Sequence, residues 1–150
     1  MATLGNFTSA VLDASELNAI GTWTAWTPTL TNLTLGTGAT SVHRYSQINK
    51  VIVFRSKIVL GTGGAMGGAF SMTLPVNAYA THSVTASVNL INSGGSFFVG
   101  AVSNIAVGAI EVWSLNASAT YTTMTQVTTA VPFGWDVGDI ITINGVYEAA

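Results

Sequence analysis

Charge is what this chain has least of. Four basic and six acidic residues make up 7% of its 150 positions, where a typical soluble domain carries about 25%. With a net charge of −2 and only four cations, a dedicated nucleic-acid binder is excluded as the leading reading. Cysteine is absent altogether, so neither a disulfide framework nor a thiolate zinc site can be built. Proline occurs three times. No apolar run reaches the 18 residues of a membrane-spanning helix, a test that leaves an outer-membrane β-barrel untouched. The first residues, Met1 to Phe7, lack the basic and apolar regions of a secretory signal. The expectation is a protein made in a cytoplasm without an export signal.

Apolar residues account for 49% of the chain, and the polar remainder is dominated by 21 Thr and 13 Ser beside 16 Gly. Such a composition is the opposite of disorder. Its size fits one domain. A domain of this size normally keeps a charged surface for solubility, yet no acidic residue stands between Glu16 and Glu111. The simplest account is that much of the surface is buried between subunits, so an oligomer is expected.

Two regions separate. In residues 1–21, Asp13-Ala-Ser-Glu16 reads as a capping box, with Leu12 and Leu17 placed as a hydrophobic staple. Gly21 supplies a stop. The resulting helix, 14–20, has two turns and is marginal unless its apolar side is held. It either packs on its own domain or docks onto another protein. Phe7, Leu12, Leu17 and Ile20 are the candidate docking contacts.

From residue 22 onward everything reads as strand and turn. Candidate strands are 29–35, 39–46, 51–60, 69–74, 79–91, 96–103, 105–115, 119–129 and 139–147. Strands at this spacing without intervening helices predict an antiparallel sandwich or barrel. The clearest pattern is 51–60, where Ile52, Phe54, Ile58 and Leu60 share one face. Arg55 and Lys57 share the other with Val51, Val53 and Val59. Residues 105–115 are apolar on both faces, as suits a covered central strand.

Chemistry is sparse. Gly61–Gly68 lacks the lysine of a phosphate loop and predicts an inter-strand loop. His43 and His82 have no nearby carboxylates, so no metal site is expected. His82, on an otherwise apolar face, reads as a hydrogen-bonded core histidine. Asp136 and Asp139 read as turn residues that satisfy backbone donors, rather than as a glycosidase pair. No nucleophile elbow is present. The expectation is a protein without enzymatic activity or cofactor. Arg44, Lys50, Arg55 and Lys57 lie within fourteen positions, with Arg44 facing the next strand across a hairpin. Solvated strand faces account for them. The sharper alternative is a contact with a partner subunit or an acidic glycan.

One resemblance carries the sequence further. Trp26-Thr-Pro-Thr-Leu30, running on to Gly38, is followed by Arg44-Tyr45 and by Lys50-Val51-Ile-Val-Phe-Arg55. This is similar to the W-x-x-W-T-P-T-L start and R-Y-x-x-x-G-K-x-V strand pair of tailed-bacteriophage virion proteins, the minor-tail and fibre-tip or capsid-decoration class. Asn49 stands where that pattern usually has Gly. Residues 7–18 resemble their N-terminal segment, and Pro132–Asp139 with Gly145–Glu148 resemble their final strands. The resemblance implies a jelly-roll-like β-sandwich over 22–150 that assembles as a homotrimer. Residues 1–21 would attach it to the particle. The implied role is a tail-tip or fibre knob that meets host-surface glycan, with a capsid-decoration protein bridging coat subunits as the alternative. More distant readings are a small outer-membrane barrel and a ligand-binding β-barrel.

Overall fold

A computed structural model describes residues 20–118 and 120–150. The docking contacts Phe7, Leu12 and Leu17 and the 14–20 helix, apart from Ile20, lie outside the described residues. Ten strands follow one another: β1 (Thr24–Ala25), β2 (Leu30–Thr34), β3 (Thr40–Ile48), β4 (Val51–Val59), β5 (Ala65–Thr73), β6 (Thr85–Ile91), β7 (Phe97–Ala106), β8 (Ala109–Asn116), β9 (Thr123–Gln126) and β10 (Ile140–Glu148). All pairings are antiparallel, in the order β1-β3-β4-β10-β6-β7-β8-β5-β2, with β9 beside β8. The protein is all-β, one antiparallel sheet curled into a half-barrel, with no helix among the described residues.

The alternation in β4 places the core. Ile52, Phe54 and Ile58 are buried inside the curl, with Val88 and Leu90 of β6, Ile110 and Val112 of β8, Phe70 and Met72 of β5, and Ile141 and Ile143 of β10. β10 is an interior strand, gripped on both sides. It pairs with β4 along nine residues and with β6 along seven. Gly145 opposes Phe54 on one side and Ala86 on the other, and a Cβ at this position would lie 2.6 Å from each side chain. The glycine is the space into which the Phe54 ring fits. Trp26, Phe54 and Tyr147 then meet edge to face, with centroids 6.2 and 5.8 Å apart. The Tyr147 hydroxyl donates to Val76 O at 2.7 Å, and its burial pushes the phenol up to about 12.

The two borders of the sheet are consecutive in the chain. β1 lies beside β3 at one border and β2 beside β5 at the other, so residues 26–29 cross from one to the other. The crossing is fastened to β5. Trp26 Nε1 donates to Thr73 O, Thr29 N to Thr73 Oγ1, and Thr73 N to Thr29 O. Below it, Thr37 and Thr62 form an isolated bridge between the β2–β3 and β4–β5 connections.

Several expectations need correction. Residues 105–115 are not one strand: β7 ends at Ala106, Val107 and Gly108 turn, and β8 begins at Ala109. Ile105 and Val107 are exposed, while Ile110 and Val112 are buried. An apolar run hid a tight hairpin. Likewise 79–84 is a turn and the strand starts at Thr85. The fully buried Asn104 holds it, donating to Ala80 O and accepting from Val84 N, while His82 N donates to Asn104 O. His82 is therefore exposed at the corner with φ of 56°, not a core histidine. The glycine run is only half loop. β5 begins at Ala65, and Gly68 leaves room for Asn32, whose Nδ2 bonds Ala69 O where the register shifts and β5 carries the extra residues.

The loop before β10 matches expectation. Asp139, fully buried, accepts from Ser93 N at 2.8 Å and from Asp136 N at 2.7 Å, and Asp136 Oδ1 accepts from Val137 N. Both carboxylates satisfy backbone donors. Asn49, at the β3–β4 turn, has φ of 55°, a left-handed conformation that asparagine tolerates.

Candidate interaction surface

The register of the central strands fixes what the outside of the curl presents. Running across β3, β4 and β10, one row is Val42, Lys57 and Thr142. The next is Arg44, Arg55 and Asn144, and the third is Ser46, Val53 and Val146. Ile48 and Val51 close the hairpin. Of these, Val42, Ile48, Val51, Val53 and Val146 are large apolar side chains, each 43–54% exposed. Three cations thus lie in a field of valines. Arg44 faces Arg55 directly, a like-charge cross-strand pair that costs stability on its own. A shallow cleft of about 330 Å³ lies here, lined by Val42, Arg55, Lys57, Thr142 and Asn144.

Residues 20–23 run over the border of this face. Ser46 Oγ donates to Gly21 O at 2.7 Å, which buries Ser46 on an otherwise open side. The Trp23 ring lies 5.0 Å from the Arg55 guanidinium carbon, a cation–π contact. Ile20 is 52% exposed. Of the sequence-derived docking set it is the one described residue, and it lies where the chain joins this surface.

Of the four candidate basic contacts, the structure brings together Arg44, Arg55 and Lys57. Lys50 occupies the hairpin turn, where its carbonyl accepts from Ala149 N. Arg44 faces the next strand across the hairpin, as expected, opposite Arg55. The apolar members, above all Val42 and Val146, were not singled out from sequence. Valine alternation in 51–59 was the one visible signal, and the register with β3 and β10 supplied the rest.

The outer face continues around the sheet to β7, β8 and β9. Val99 and Leu115 are exposed, Met124 is open beside Leu115, and Glu111 and Trp113 are half-buried. Glu111 has Ser71 and Ser103 as cross-strand neighbours. Inside the curl, His43 Nδ1 and Ser56 Oγ are 2.8 Å apart, and Trp26 packs on the imidazole at 5.4 Å. Burial lowers the pKa of His43. Ser56 is 1% exposed, and the pair forms a hydrogen bond between the inner faces of β3 and β4.

Comparison with protein-family models, with curated proteins and with solved structures finds no match for this chain.

Proposed function

We propose that the chain is a non-enzymatic structural protein of a bacteriophage virion. In this reading it is a jelly-roll-like trimer at a tail tip or fibre, attached to the particle by residues 1–21. The observation that carries the assembly is the outer face of β3, β4 and β10. Five exposed aliphatic side chains surround its three cations, in a chain only 7% charged. Contiguous apolar surface of this kind marks a contact with another protein. The motifs around Trp26 and Arg44 supply the virion context.

The interior favours this reading over the barrels. Outer-membrane barrels turn polar residues inward, whereas here Phe54, Phe70, Met72 and Ile58 fill the inside. A ligand-binding barrel needs an internal cavity, and the same side chains occupy that space.

The test is native mass without detergent, followed by particle incorporation. About 46 kDa, three chains of 15.5 kDa, is expected. A chain lacking residues 1–21 should remain trimeric and fail to join virions. Normal incorporation of the truncated chain would remove the docking role. A soluble monomer would remove the trimer. Incorporation at hundreds of copies per particle would move the site from tail to capsid.

A further inference from the structure

We infer that the trimer closes by a heterologous contact between unlike parts of the outer face. The β3–β4–β10 surface of one copy packs against the β7–β8–β9 surface of the next, with Glu111 meeting Arg44 and Arg55. The inference rests on the proposed trimer and goes on to name its surfaces.

A three-fold ring cannot be made from one self-complementary patch. It needs two different patches on each chain, placed so that the rotation closes. The sheet order supplies two. β4 and β8 are four steps apart through β10, β6 and β7, which is ~19 Å along the surface at the usual strand spacing. That separation exceeds the screening length of about 8 Å at physiological salt, so Glu111 cannot neutralise Arg55 of its own chain.

The two patches are complementary. The first presents Arg44, Arg55 and Lys57 among exposed valines, and its one carboxylate, Glu148, stands apart from them in the Ile48–Val51 row at the hairpin end. The second presents Glu111 between Ser71 and Ser103, with Trp113 next to it and Leu115, Val99 and Met124 clustered beyond the tryptophan, and its rows contain no base. Packing like patch on like patch would make a two-fold pair and leave the ring open. Packing unlike patches sets a carboxylate between two guanidiniums and aliphatic surface on aliphatic surface. A charge pair beside an apolar contact gives register and partner choice.

The experiment is the native mass of the full chain at near-physiological salt, measured for the parent, Arg55→Glu, Glu111→Arg and the two together. The parent is expected at about 46 kDa, three times 15.5 kDa. Each single variant is expected to fall to one chain's mass, and the double variant to recover the trimer. Strand content by circular dichroism confirms folding. A variant that fails that check is replaced by the Lys57→Glu and Glu111→Lys pair. Single variants that stay trimeric overturn this contact and leave the trimer standing. Loss of the trimer on removing residues 1–19, with the charge variants unaffected, also overturns it, because the N-terminal segment is then what holds the copies together. A monomeric parent overturns the contact and the proposed trimer at once.

Discussion

The two faces of β4 differ less than the two faces of a sheet strand usually do. Inside, Ile52, Phe54 and Ile58 are essentially inaccessible. Outside, Val51 and Val53 are 50% and 43% exposed, and only Arg55 and Lys57 interrupt the aliphatic run. Strand alternation separates the faces by direction, but here both are apolar. The inner face satisfies the fold, and the outer face has not been given the polarity that water alone would favour. The difference between them is one of partner in the proposed assembly: the first packs on its own chain, and the second would pack on another.

The sharpest way to break this comparison is to truncate neighbouring residues on opposite faces. Phe54→Ala removes the ring seated on Gly145 and between Trp26 and Tyr147, and should cost about 3–5 kcal/mol in denaturant unfolding. Val53→Ser, one residue away, should change the unfolding of the separated chain by less than about 0.5 kcal/mol, while weakening self-association in a dilution series. Equal destabilisation by both would mean that the outer face also packs within the chain.

A smaller effect is expected at the buried carboxylate. Asp139→Ala leaves Ser93 N and Asp136 N without their acceptor and should cost about 2–3 kcal/mol in the same unfolding measurement. The smallest is electrostatic. Burial holds the His43 pKa below its ordinary value, so the unfolded chain takes up a proton more readily than the folded one. The stability this represents is complete above about pH 6.5 and declines as pH falls through and below that value. Urea midpoints at pH 7.5 and 5.5 should differ in this direction, and His43→Gln should narrow the gap.

The inner face was legible in the sequence because it obeys a local rule. The period-two pattern over 51–60 identified Ile52, Phe54, Ile58 and Leu60, and each is buried. The turn role of Asp136 and Asp139 was equally local. What escaped depends on distant partners. Asn104 pins the 79–84 turn from another strand, so no pattern around His82 revealed that the residue turns outward. The apolar run at 105–115 gave no sign of the reversal at Val107 and Gly108. The basic cluster was visible as four nearby positions, yet the meeting of Arg44 with Arg55, of Arg55 with Asn144 and of Val53 with Val146 requires the pairing of β3, β4 and β10. A surface is a property of register, and the sequence pattern left register open.

The crossing at residues 26–29 has a mechanical consequence. A pull at Gly21 loads β1, which holds β3 through only two residue pairs at the border of the sheet and can peel like a zipper. The load then reaches Trp26, which is wedged against Phe54 and anchored to Thr73. The C-terminal strand, by contrast, is gripped along nine residues on one side and seven on the other and must shear. An attachment through the N-terminus would therefore give way first over a short, re-formable stretch, acting as a shock absorber for the curled sheet behind it.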